Sequence, residues 1–91
     1  MFYRKKPVVI EAIQWTGDNS EQIINFLGDA LRGPMRNGAI EIYTLEGIIS
    51  VSVGSYVIKG VRGEFYPCRG DIFEETYEAV RETYEDVSWG D

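Results

Sequence analysis

The chain has no histidine, a single cysteine, three prolines among 91 residues and no long apolar run. Without histidine, the commonest general base and metal ligand is missing, and no Ser–His or Cys–His nucleophile can be assembled. One thiol cannot form an intrachain disulfide. One cysteine and no histidine leave only carboxylates to hold a metal, so neither a metal site nor a cofactor is expected. No stretch approaches the ~18 apolar residues that suggest a membrane span. Val8-Val9-Ile10 behind the basic Arg4-Lys5-Lys6 is too short for the apolar core of a signal peptide. The expectation is a cytoplasmic protein with no membrane partner.

Positive charge is also scarce. Nine basic residues face fifteen acids, for a formal charge of −6. A negative surface repels a phosphate backbone at long range, so generic nucleic-acid binding is disfavoured. The excess is local: residues 71–91 hold eight acids and one base, Arg81, and the remainder is nearly neutral.

What is present reads as a small α+β domain. Pro7 lacks an N–H and suits the start of a strand. Val8 to Trp15 is β-prone and apolar on both faces, which predicts a strand covered on both sides. Gly17-Asp18-Asn19-Ser20 is a turn, and Asp18/Glu21 or Asn19/Gln22 has capping-box spacing for a helix. Ile23, Ile24, Phe26, Leu27 and Leu31 supply its apolar side, and Gly28 ends it. Residues 28–38, with three glycines and a proline, read as the longest loop. Ala39–Leu45 and Ile48–Val53 form a hairpin signalled by Glu46-Gly47. Tyr56–Lys59 and Glu64–Cys68 form a second, turning at Gly60-Val61-Arg62-Gly63, and Pro67 marks its last strand as an edge. Asp71, with Glu74 three residues on, caps a helix over 71–86. Phe73, Thr76, Tyr77, Val80 and Tyr84 share one face of that helix. The prediction is a single domain over residues 1–91 with a mostly antiparallel sheet of about five strands, in the order β-α-β-β-β-β-α. Residues 85–91 are expected to form a loose tail. The edge at Pro67 and the small size also suggest a homo-oligomer.

Two stretches carry a resemblance. Tyr3-Arg4-Lys5-Lys6-Pro7-Val8-Val9-Ile10-Glu11-Ala12-Ile13-Gln14-Trp15-Thr16-Gly17 is one. The other runs from Gly54 through Gly63-Glu64-Phe65-Tyr66-Pro67-Cys68 to Asp71-Ile72-Phe73-Glu74-Glu75-Thr76-Tyr77-Glu78. Together they resemble a family of small, uncharacterised bacteriophage and prophage proteins. Members often read proline-glycine-aspartate-tyrosine at the head of the second stretch, where this chain has Val53-Gly54-Ser55-Tyr56. The resemblance implies an accessory protein acting in a bacterial cytoplasm. Such a protein would be non-enzymatic, bind a host or phage macromolecule and so counteract host defence. The family brings no catalytic residues to carry over.

Two groups of residues are candidate sites. Lys59, Arg62, Glu64, Tyr66 and Arg69 bracket the glycine-rich turns, with Trp15 as a further aromatic. Arginine offers bidentate contacts to phosphate, tyrosine a stacking surface and glycine open N–H groups, a set suited to a small anionic or nucleotide-like ligand. The plainer reading assigns the glycines to turn geometry, the charges to surface pairs and Trp15 to the core. Glu74, Glu75, Glu78 and Glu82 form a negative strip that either docks on a basic partner protein or is simply a solvated face. Cys68, before a helix start, is either an activated or an inert buried thiol. Glu11 is either an acid with a raised pKa, a residue on a face exposed to water, or a charge paired with Lys59 or Arg4.

Overall fold

A computed structural model describes residues 1–4 and 6–80. The strands are β1 (Glu11–Gln14), β2 (Leu31–Pro34), β3 (Ile40–Thr44), β4 (Gly47–Val51), β5 (Tyr56–Lys59) and β6 (Phe65–Cys68). The helices are α1 (Ser20–Leu27) and α2 (Gly70–Thr76), with a 3-10 turn at Gly28–Ala30 following α1. The fold is α+β, as predicted, and every strand pair among the described residues is antiparallel. Among the described residues there are six strands rather than five, and they form two sheets, ordered β1-β5-β6 and β2-β3-β4.

The extra strand, β2, lies within the stretch predicted as a loop. Its glycine and proline suppress local strand propensity, and only pairing with β3 makes it a strand. The register shifts between Leu31 and Gly33, which accommodates the irregular segment. Pro34 closes the strand at a sheet edge, where a missing N–H costs nothing. Arg32 forms an ion pair with Glu41 of β3 at 2.6 Å.

β1 departs from its prediction in the other direction. It covers four residues rather than eight and, among the described residues, lies at a sheet edge, hydrogen-bonded only to β5. Val8 and Val9 are exposed, so their β propensity finds no partner strand. Pairing with the β5 side continues past β1 through Trp15 N–H to Ser55 O (2.9 Å) and Gly54 N–H to Trp15 O (2.7 Å).

Trp15, Ile23, Leu27, Ile40, Ile42, Val51 and Val57 form one core drawn from α1 and both sheets. Each fully buried aliphatic side chain contributes about 1.5–3 kcal/mol. In α1, Ile23 and Leu27 at i, i+4 point inward, and Phe26 sets its ring edge-on to Phe65 of β6 at 5.4 Å. Ile24 lies off this stripe and is exposed, contrary to its predicted place on the apolar side. Asn19 ties α1 to β1. Its Nδ2 donates to Gln14 O (2.8 Å) and Gln22 Oε1 (2.9 Å), and its Oδ1 accepts the Thr16 N–H (3.0 Å). The Asn19/Gln22 spacing is thus used between side chains, and no side chain caps the helix N–H groups.

Side chains alternate across β5. Val57 faces the core, and buried Ile58 faces the opposite side, toward α2. The β1-β5-β6 sheet is therefore buried on both faces: α1 and the second sheet cover one, α2 the other.

Candidate functional site

The predicted ligand cluster is divided by the geometry of its own hairpin. At the tip, Gly60 N–H donates to Glu64 O (2.7 Å) and Gly63 N–H to Gly60 O (2.9 Å). The Glu64 carboxylate folds back and accepts the Arg62 N–H at 3.0 Å. It lies so close over Gly60 that a Cβ there would sit 2.5 Å from the carboxyl carbon. Glu64 therefore completes the turn with its carboxylate.

Lys59, the last residue of β5, lies opposite Glu11 in the ladder, with Phe65 as its other cross-strand partner. Opposite charges so placed stabilise a sheet modestly. Tyr66 pairs with Ile58 and faces the other side of the sheet, toward α2. Arg69 follows the far end of β6, about 16 Å from Glu64 at ~3.3 Å per residue. There its guanidinium holds Asp71 at 2.8 Å. Trp15 is 6% exposed and donates its indole N–H to Gly38 O at 2.9 Å, which makes it a core residue. Lys59, Arg62 and Glu64 thus share the tip, while Tyr66, Arg69 and Trp15 each lie elsewhere.

A different set of residues comes together across α2. Phe73 stacks on Tyr56 with centroids 3.8 Å apart and planes within 11°, and Tyr77 stacks on Phe73 at 4.8 Å. Tyr66 joins them. Burial raises its phenol pKa above the usual tyrosine value, and the charge and hydrogen bond of Tyr77 raise it further. The helix can approach this closely because Gly70 has no side chain: a Cβ there would sit 2.5 Å from Gly54 O. That same carbonyl accepts Gln14 Nε2 at 2.9 Å. Half-buried Cys68 stands opposite Tyr56 in the ladder.

The predicted helix over 71–86 is shorter than expected. It ends at Thr76, and Tyr77 is extended at φ −119°, ψ 153°. A Tyr77 that continued the helix would keep the regular i, i+4 side-by-side arrangement; instead it turns out of the helix and still stacks on Phe73. Asp71 does not act as the N-cap. Its carboxylate accepts the Ile72 N–H (2.9 Å) and pairs with Arg69. Glu74, Glu75 and Glu78 are exposed. Glu82, Tyr84 and the tail 85–91 lie outside the described residues.

Between the N-terminal segment and α2 runs an open groove of about 1190 Å³. One wall is Lys6 to Ile13, the other Phe73 to Val80, with Tyr56 and Phe26 between them. Among the described residues four carboxylates line it, those of Glu11, Glu74, Glu75 and Glu78, against one cation, Lys6. Among the described residues the ion pairs are Arg32–Glu41 and Arg69–Asp71, so Glu74, Glu75 and Glu78 have no ion-pair partner there, while Glu11 lies opposite Lys59 in the ladder. A smaller hollow of about 430 Å³ separates the β3–β4 tip from Glu64–Pro67. Among the described residues no group of three or more histidine, cysteine or acidic side chains is arranged to hold a metal. No helix among them is long and apolar enough to cross a membrane.

Sequence reasoning found the acids of this groove but not its aromatic wall. Tyr56 and Phe73 lie 17 positions apart, and only the docking of α2 on β5 brings them together. The usable signal was Phe73 and Tyr77 at i, i+4 behind a glycine that permits close approach. By architecture the chain is an α+β protein with a two-faced three-stranded sheet and an acidic, aromatic groove along one edge. No family model, curated protein or solved structure matches it.

Proposed function

We propose that this chain is a non-enzymatic accessory protein that binds another protein through the groove between its N-terminal segment and α2. The observation that carries this reading is the groove itself: a stacked aromatic wall, Tyr56–Phe73–Tyr77, beside unpaired carboxylates. Aromatic rings give a large contact area at low entropic cost, and the surrounding charges select the partner and speed encounter. The sequence resemblance to bacteriophage and prophage proteins supports reading the partner as a host or phage protein of a bacterial cytoplasm, with interference in host defence as the biological outcome. The hairpin tip supports a small anionic ligand less well, because Glu64 is committed to its turn and adds negative charge there.

The test is affinity capture from bacterial lysate with the wild-type chain and with Glu74→Lys/Glu75→Lys/Glu78→Lys side by side. A partner retained by the wild type and lost by the triple variant supports the groove. Equal capture by both places the binding surface elsewhere.

A further inference from the structure

The groove also has a definite relation to the backbone of β1. Glu11 and Ile13 lie on the core face of the sheet with Val57, and Ala12 lies on the α2 face with Ile58. The groove touches both sets: Ile13 and Phe26 on one side, Ala12, Tyr56 and Phe73 on the other. A single opening that reaches both faces of a strand passes around its edge. Among the described residues that edge has no partner strand, because β1 pairs only with β5.

The hydrogen-bond phase identifies the free groups. Trp15 N–H bonds Ser55 O, so residues 15, 13 and 11 direct their N–H and C=O toward β5. Ile10, Ala12 and Gln14 direct theirs outward, and of these Ile10 and Ala12 line the groove. Gln14 O is taken by Asn19 Nδ2, which leaves the Ala12 N–H and C=O as the central set without a partner among the described residues. Edge strands of this kind accept an added strand from another chain.

Resting on the reading of the groove as a protein-binding site, we infer that its occupant is an extended basic peptide segment that adds as a strand to the free edge of β1. The charges choose between occupants. Glu11 sits on the strand, and Glu74, Glu75 and Glu78 on the opposite wall. A second copy pairing β1 to β1 brings two such acidic sets together, and like charges so juxtaposed oppose assembly. A strand with lysine or arginine at alternate positions turns those side chains to Glu74, Glu75 and Glu78 on the α2 face while its backbone pairs with Ala12 and its apolar side chains lie on the core face beside Ile13 and Phe26.

The probe is a fluorescent ten-residue peptide of alternating valine and lysine, titrated into the full chain. Controls are its valine–glutamate counterpart and a lysine peptide N-methylated at alternate residues. The lysine peptide is expected to bind about tenfold or more tighter than either control, and to weaken by about tenfold with the Glu74→Lys/Glu75→Lys/Glu78→Lys chain. Amide resonances of Ile10, Ala12 and Gln14 should move most on binding. Ala12→Pro removes the outward N–H without touching the β5 ladder and should abolish binding, with circular dichroism checking its fold. The inference is overturned if the N-methylated peptide binds as well as the parent, if the glutamate peptide binds equally, or if the shifted amides lie elsewhere. It is also overturned by a lysate partner that requires the three glutamates yet leaves the Ala12 amide unmoved; that result keeps the groove as the site and removes strand addition.

Discussion

Gly60 and Gly70 show how one absent methyl group has different consequences in different surroundings. At both positions a Cβ would meet an atom at 2.5 Å. At Gly60 that atom is the end of a flexible side chain, the Glu64 carboxylate; at Gly70 it is the backbone oxygen of Gly54. Gly60→Ala is expected to expel the carboxylate and lose its bond to the Arg62 N–H, a cost of about 0.5–1.5 kcal/mol. Gly70→Ala has to move α2 off the sheet and should cost about 1–3 kcal/mol, with loss of the Tyr56–Phe73 stack. Urea denaturation of the two variants reads the difference. Tyr66 gives a pH prediction. Its folded pKa lies above its unfolded value, so folding favours the neutral phenol. Its contribution is present in full below pH ~10 and is lost as pH rises through the folded value. Tyr66→Phe should flatten the fall in melting temperature above pH ~10 and leave the neutral range unaffected by this linkage. At this scale the sequence was legible where a residue acts locally, as Pro67 does at its sheet edge. It was not legible where the partner is remote, as with Trp15 and Gly38.

The elements that could be read in advance carry their own periodicity. Ile23 and Leu27 announce α1, and the alternation of Ile40 and Ile42 announces β3, buried at 4% and 0%. Ile42→Ala should therefore cost about 2–5 kcal/mol, whereas Ile24→Ala on the exposed side of α1 should stay near ~0.5 kcal/mol. Chemical denaturation of the pair measures how narrow the apolar stripe of α1 is. β2 was hidden because its strand character comes from β3 rather than from Leu31-Arg32-Gly33-Pro34 itself. β1 was overestimated because a β-prone run says nothing about whether a neighbour exists. α2 was overextended because the periodic spacing past Phe73 is satisfied by stacking after the helix has ended.

For the molecule as a whole, the division into two sheets does not divide the core. Val57 belongs to one sheet and Ile42 to the other, and both pack in one cluster with Trp15. Unfolding followed by far-ultraviolet circular dichroism, which reports both sheets, should coincide with amide exchange-competent opening at Val57 and Ile42 in a single transition. Two separated transitions would show that the sheets melt independently. The fold class could be read from the order of elements. The candidate site could be read only as charge, because the groove is made by α2 folding back over a strand that precedes it by more than ten residues.

The Asn19 junction sets a clock on the folded protein. An asparagine followed by a small residue such as Ser20 is prone to lose its amide with age and become aspartate. At this position the lost group is the donor: Nδ2 serves both Gln14 O and Gln22 Oε1. A carboxylate only accepts, so the contact with the Gln14 carbonyl becomes one between lone pairs, while the Gln22 amide has to turn over to donate. Asn19→Asp, which copies the aged state, should therefore lower stability by about 1–3 kcal/mol. Old preparations should then separate into two charge forms, the more acidic of which melts first and lets go of the start of α1 and the end of β1 together.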